Sequence, residues 1–411
     1  MLDIEIIRKD PDKVRTMLKE RNMDVSLVDQ FLDLDEKWRK QTTQLQELQR
    51  LQKEYSAARD IEKAKENKVV IKEAESLVTA LQIERDEKLL EFPNIFFDDV
   101  VRGGGEDGNV EIKRVGDIPE FSFAIKDHLE LGEGLGIIDV KKAAQVSGSR
   151  FYYLRGKGAL LEFALIRFAI DHLTKAGFEP IIPPVMIRPD MYKKMGRLTD
   201  AQKEERYYLG ADDLYLVGSA EHTLGPLYSD SVFEEADLPK RLVGFSSCFR
   251  REAGSYGKDV KGILRVHQFD KVEMYAFTTP QNSEDEHAFL LSLQEGLWKV
   301  LGIPYRVVSI CSGDMGPTDA RQFDIEAWIP SQQQYREVAS CSNTTDYQTR
   351  GIGTKVSQKD GPVFVHALNA TALAIGRTIV AILENFQQED GSVHIPEKLA
   401  FYTGFDSIVR E

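Results

Sequence analysis

From residue 27 to residue 55 the less polar positions follow a strict rhythm. Leu27, Phe31, Leu34, Trp38, Gln41, Leu45, Leu48, Gln52 and Tyr55 are spaced alternately four and three residues apart. That is the heptad seam of a helix packed along another helix, interrupted by two glutamines. After a charged stretch around residues 58–68, a weaker seam returns at Val70, Ala74, Leu77 and Leu81. One seam going out and one coming back predict an antiparallel helical hairpin over residues 27–92, about 40–50 Å long at roughly 1.5 Å rise per residue. Upstream, Asp10 before Pro11 has the form of an N-cap and first helical position. Pro93 ends the hairpin and Gly103-Gly104-Gly105 marks a linker, so an N-terminal part (1–104) and a larger part (105–411) are expected.

The second part has a different pattern. Leu160–Leu173 has helical periodicity, and Val363–Glu384 ends in another helix. Residues 241–249, 272–277, 306–310 and 323–328 are β-rich runs between them. Strands and helices do not alternate strictly, which predicts an α+β fold on an antiparallel sheet rather than a doubly wound one.

The chain has 411 residues, 42% hydrophobic and 29% charged, enough for two or three domains of ordinary globular composition. Cys248, Cys311 and Cys341 lie far apart without CxxC spacing, which argues against a disulfide framework or a zinc site and for a reducing cytoplasm. The acidic start does not have the form of a signal peptide, and no apolar run is long enough to span a membrane. Net charge is −14, yet residues 37–72 carry ten basic against five acidic side chains. A solvated coiled-coil surface often has such a mixture. A basic arm on an acidic body is also the footprint of an RNA contact.

No Walker or Rossmann glycine motif is present, and Gly132, Gly134 and Gly136 are read as a turn. The chemistry is concentrated between Cys248 and Tyr275, where a strand enters, a loop carrying Lys258 and Lys261 turns, and a second strand leaves. Arg250 could fork onto an α-phosphate and a carboxylate. Glu252 could accept from an adenine amino group, and Phe269 offers a face for the base. Singly, each reads as well as a surface ion pair or a core ring.

Together, Phe249-Arg250-Arg251-Glu252, the loop and the returning strand resemble motif 2 (about 245–275) of class II aminoacyl-tRNA synthetases, most closely that of the seryl-tRNA synthetase family. Residues 177–184, with Pro183 and Pro184, resemble the dimer-forming motif 1, and residues 366–385 resemble motif 3. The likeness runs over essentially the whole chain, with the hairpin in the place of the family's tRNA-binding arm. It implies a class II antiparallel β-sheet core flanked by helices, with the coiled-coil hairpin as an N-terminal arm. It also implies a homodimer that joins L-serine, through ATP and Mg2+, to tRNA(Ser), with tRNA(Sec) as a second acceptor and with no membrane or DNA partner.

For the nucleotide the resemblance implies Arg250, Arg251, Glu252, Val266, Phe269, Glu337, Val338, Ala339, Ser340 and Arg377, the last on the γ-phosphate and Glu337 with Ser340 on Mg2+. Arg250, Glu337 and Arg377 are the implied catalytic groups. For serine it implies Ser219, Ala220, Glu221, Arg250, Glu273, Asn369 and Thr371. Ser219 departs from the family's threonine but keeps the hydroxyl. His267 is expected to be structural, Cys248 and Cys341 to be buried thiols, and Glu284-Asp285-Glu286 to open a helix. Rival readings are an enzyme of the same architecture that charges another amino acid or a carrier, a degenerate RNA-binding relative, and a coiled-coil scaffold.

Overall fold

The computed structural model describes residues 1–252 and 261–410, so Lys258 and most of the motif 2 loop lie outside the described residues. Its contacts divide the chain into two units, Met1–Ile95 and Phe96–Glu411.

The first unit is helical. Asp10 caps the helix Pro11–Glu20, its side chain accepting from the Lys13 amide at 3.0 Å, with Pro11 in the first turn. Helix α1 (Leu27–Ala57) and helix α2 (Ile61–Leu89) are joined at residues 58–60, so they run antiparallel. The seam read on α1 is present: its positions are the less exposed ones along the helix. The α2 seam differs from the expected one. Ala74 and Leu81 lie on it, but Val70 and Leu77 are exposed, at 45% and 46%. The inward positions are Ala64, Asn67, Ile71, Ala74, Val78, Leu81 and Arg85, spaced alternately three and four. Adjacent apolar residues at 69–71 and 77–78 offer two phases, and polar groups decide between them. Asn67 Nδ2 donates to the Leu48 carbonyl and to Gln52 Oε1, both at 2.9 Å, and the Arg85 guanidinium lies 3.9 Å over the Trp38 ring. Gln52, read as an interruption, is therefore a cross-seam partner.

The second unit is built on one eight-stranded sheet. In chain order its strands are β1 (Val110–Val115), β2 (Glu179–Ile181), β3 (Lys240–Phe249), β4 (Gln268–Thr278), β5 (Tyr305–Ser309), β6 (Arg321–Ile329), β7 (Gln334–Asn343) and β8 (His366–Ala374). They lie side by side as β1-β5-β6-β7-β8-β4-β3-β2, antiparallel except for the parallel pair β2–β3. The four β-rich runs become β3, β4, β5 and β6. β1, β2, β7 and β8 lie outside those runs: β1, β2 and β7 are short or polar, and β8 leads straight into the helix expected at the end of residues 363–384. Helices α3 (Lys157–Lys175), α4 (Ser283–Leu301) and α5 (Ile375–Asn385) cover one face. Glu284, Asp285 and Glu286 stand in the first turn of α4, as read, where they complement the helix dipole. Among the described residues no helix is long and apolar enough to cross a membrane.

Strand alternation positions the site. Val272, Met274 and Ala276 on β4, with Leu368, Ala370 and Ala372 on β8, join the apolar cluster under the helices. The intervening Lys271, Glu273, Asn369 and Thr371 therefore point to the opposite face, and all are at most 6% exposed. A sheet with an apolar cluster on one face carries a buried polar layer on the other.

Candidate active site

On that polar face a cavity of about 290 Å³ lies between the ends of β3 and β4, strand β7 and the start of α5. Arg250, Glu252, Val266 and Phe269 form one wall. Glu337, Val338, Ala339 and Ser340 form another, and Arg377 stands at the mouth. Nine of the ten residues expected around a nucleotide thus meet in one place. The tenth, Arg251, turns outward, although its amide donates to the Glu205 carbonyl at 3.0 Å.

Arg250 is fixed from behind. Its Nε and Nη2 donate to the Gly218 carbonyl at 3.3 and 3.2 Å, and its guanidinium lies 5.3 Å from the centre of the Phe269 ring. Glu252 has a left-handed backbone, φ 50°, unusual for a residue with a side chain. Arg150 donates to its carbonyl at 2.7 Å and Arg265 to its carboxylate at 3.0 Å, which together hold that conformation. His267 is structural, as expected, with its Nδ1 3.0 Å from the Arg250 carbonyl.

Opposite, Arg377 Nη1 donates to the Glu337 carbonyl at 2.6 Å and stands 3.4 Å from its carboxylate, which the guanidinium holds below the usual carboxylate range. Asp324 on β6, in register with Ser340, also lines the cavity. Burial, and then the charge of Glu337, push its carboxyl well up. An enclosed carboxyl beside a second carboxylate, and paired with no cation among the described residues, suits a bound cation. Among the described residues no three His, Cys, Asp or Glu side chains cluster, so those side chains alone make no closed metal cage.

The cavity's inner end reaches Lys271 and Thr371. Glu273 is 1% exposed, paired with Lys271 at 2.7 Å and accepting from the Thr371 hydroxyl at 3.2 Å. Burial raises its carboxyl despite the lysine. Asn369 is buried with an unpartnered Nδ2. Ser219, Ala220 and Glu221 lie behind, at 5% exposure or less. The Ser219 hydroxyl accepts from the Glu221 amide at 3.3 Å, so the oxygen retained in place of threonine has a backbone task. Burial works to raise Glu221, but Arg197, 2.7 Å away, overrules it and holds the carboxylate low.

Several residues of this layer went unread in the sequence. Lys271 could have been found from its period-two relation to Phe269 and Glu273. Arg197, Asp319 and His222 carry no local signal. Arg197 faces Glu221 and, at 3.9 Å, Asp319. His222 Nδ1 accepts from the Gly218 amide at 3.2 Å and lies 2.9 Å from the Tyr192 hydroxyl, and burial pushes the ring down to about 3, keeping it neutral. Cys248 and Cys341 are buried thiols.

Comparison with known proteins agrees with this geometry. Residues 205–386 match the model of the tRNA synthetase class II core domain (G, H, P, S and T), and residues 1–96 that of the seryl-tRNA synthetase N-terminal domain. A serine–tRNA ligase of Acidothermus cellulolyticus is 46% identical over 99% of both chains. The structure of a seryl-tRNA synthetase from Pyrococcus horikoshii complexed with ATP superposes with a TM-score of 0.92 at 40% identity, covering 100% of each chain. A cytoplasmic serine–tRNA ligase from Naegleria fowleri in complex with AMP does so with 0.89 at 35%, covering 100% of this chain and 99% of the other. A class II sheet with this pocket and this N-terminal hairpin, matched end to end by such relatives, means that the chain belongs to the seryl-tRNA synthetase family.

Proposed function

We propose that the second unit activates L-serine with ATP, releasing pyrophosphate, and passes the seryl group to the 3′ end of tRNA(Ser), which the α1–α2 hairpin grips. One observation carries this reading: a cavity walled by Arg250, Phe269, Glu337 and Arg377 reaches the buried Lys271 and Thr371, both of which are bonded to Glu273 behind them. Adenine stacks on Phe269 and its amino group donates to Glu252. A serine carboxylate oxygen forms a bond to the α-phosphorus as the bond to the pyrophosphate oxygen breaks. Arg250, held by the Gly218 carbonyl, meets the charge growing on the transferring group, and Arg377 holds the γ-phosphate. In the second step the terminal ribose hydroxyl of the tRNA attacks the seryl carbonyl, and AMP leaves.

Glu337 and Ser340, with Asp324 beside them, would hold Mg2+. The ion suits this set because it takes one or two carboxylates and completes its shell with water and phosphate oxygens, adding positive charge against the phosphates. Glu273, Asn369 and Thr371 form the serine end. Groups built to bond the substrate hydroxyl reject alanine by about 10⁴–10⁵, because they would be left unpaired.

The arm's part is supported by its charges. Ion pairs occupy Lys37, Arg39, Arg50 and Lys63. Lys40, Lys53, Arg59, Lys65, Lys68 and Lys72 are exposed and have no carboxylate partner among the described residues. Contacts to a phosphate backbone carry little sequence information, so another long-armed tRNA such as tRNA(Sec) would also be held. A homodimer through motif 1 is supported by the open edge of β2 and by Ile182, Phe163 and Leu160, which are 89%, 68% and 51% exposed. Three buried cysteines, all thiols, fit a cytoplasmic setting. The test is charging. Labelled serine should become acid-precipitable on tRNA(Ser) with ATP and Mg2+ present; transfer to tRNAs without a long variable arm at the same rate would refute the arm's part.

A further inference from the structure

His128 lies between the stretches that match the two family models, and none of the three motifs includes it. It opens the short helix His128–Gly134 and is 5% exposed. The chain in front of it is docked on the end of α5. There the Lys126 amide donates to Gln387 Oε1 at 2.8 Å, and Gln387 Nε2 donates back to the Lys126 carbonyl at 3.0 Å. Glu384, in the last turn of α5, is fully enclosed. Its Oε1 accepts from the His128 amide at 3.0 Å and stands 2.9 Å from the ring Nδ1, and its Oε2 accepts from the Ser331 amide at 2.9 Å.

The far side of the ring meets the chain that leads into β4. The Ile263 amide donates to Nε2 at 3.3 Å. Gly262, with φ 79°, lies against the same atom, and a Cβ built on it would stand 2.0 Å from Nε2. Lys261 pairs with Asp127, the residue before the histidine. A backbone amide only donates, so Nε2 keeps its lone pair and the ring hydrogen sits on Nδ1, toward Glu384. Both ring nitrogens are therefore in use. What they hold is a wall of the cavity, because Ile263, Leu264, Arg265 and Val266 all line it. Arg265 also bonds the Glu252 carboxylate at 3.0 Å. The first turn of α5 approaches the same wall, with the Ile263 carbonyl 3.6 Å from a Cβ built on Gly376, the neighbour of Arg377. The motif 3 helix thus reaches residues 262–266 at one end directly and at the other through Glu384 and His128.

We propose that His128 is a positioning residue for ATP: its ring, oriented by Glu384, holds the Ile263 amide and so sets residues 262–266 at a fixed distance from α5. This rests on the serine-activating reading of the cavity and adds to it a residue that touches no reactant. The serine end, built on Glu273, Asn369 and Thr371, takes no part in the linkage. Loss of the ring's acceptor therefore loosens the nucleotide wall and spares the serine contacts.

Pyrophosphate exchange by the full-length chain tests this, with the KM for ATP and the KM for serine measured separately and melting followed without ligand. His128→Asn keeps a donor for Glu384 but has no atom at the ε position. It should raise the KM for ATP by about 10-fold, the size of one lost hydrogen bond, and leave the serine KM at saturating ATP unchanged. His128→Gln brings an amide oxygen to the ε position for Ile263 and should restore most of the ATP affinity. Gly262→Ala leaves the histidine in place and pushes the chain off its ring, so it should raise the KM for ATP as well, and the test does not depend on the histidine variants folding. Asparagine and glutamine variants with the same KM for ATP would overturn the proposal. So would KM values for ATP and serine that rise together as the melting temperature falls, which would make His128 a structural link only. Wild-type protein without serine-driven exchange would overturn the reading of the cavity, and the proposal with it, a result distinct from any failure of the variants.

Discussion

The helical arm and the sheet's polar face place polar groups under opposite rules. On the outer part of the arm, charged partners stand three or four residues apart, as in Lys37–Asp33 and Arg50–Glu54, and remain in water, whereas the enclosed Asp35 on α1 gathers Arg8, Arg39 and Arg85. On the sheet face partners are enclosed, and some come from distant segments, as in Arg197–Glu221 and Thr371–Glu273, while Lys271–Glu273 pairs along one strand. Exposed local pairs contribute about 0–1 kcal/mol each, whereas removing one partner of a buried pair costs about 3–5 kcal/mol. The arm can therefore carry unpaired cations cheaply and present them to a polyanion. The sheet face cannot, so its enclosed cations Arg197 and Lys271 each stand against a carboxylate.

The largest effect expected from this contrast concerns the arm as a whole. Deleting Gln41–Leu81 should abolish tRNA charging and leave serine-driven exchange nearly intact, both measured on the same preparation. In the intact chain, raising salt from about 50 to 200 mM should weaken tRNA binding by on the order of 10³ if some six phosphates are contacted, with exchange little changed. Equal salt sensitivity of the two activities would erase the distinction between the regions.

Next comes the buried pair. Glu273→Ala leaves Lys271 enclosed without its partner and should destabilise the second unit by about 3–5 kcal/mol in denaturant unfolding, with loss of exchange. A loss below about 1 kcal/mol would mean that water already reaches this layer. The smallest effect belongs to the seam. Asn67→Ala removes the donor to Leu48 and Gln52 and should lower arm stability by about 1 kcal/mol without altering exchange.

The same contrast explains what could be read in the sequence. The α1 seam was legible because helical packing repeats locally. The α2 seam was misplaced because Val69-Val70-Ile71 allows two phases, and the choice between them is made by Asn67 and Arg85, which reach across to the other helix. Arg250, Glu252, Glu273 and Arg377 stood out through the motifs they resemble, and β3 to β6 through their apolar runs. Lys271 was hidden in plain alternation. Arg197 and Asp319 were invisible, since their meaning depends on which distant strand or turn lies against them. Polar β7 was missed as a strand because its side chains serve the cavity more than the core.

The most direct test of the serine-activating site is exchange of radiolabelled pyrophosphate into ATP by the purified chain. Exchange should appear when L-serine is added, and threonine or alanine should drive it only weakly. Exchange driven equally by threonine or alanine, or no exchange with serine, would contradict a site built around Glu273, Thr371 and Arg250.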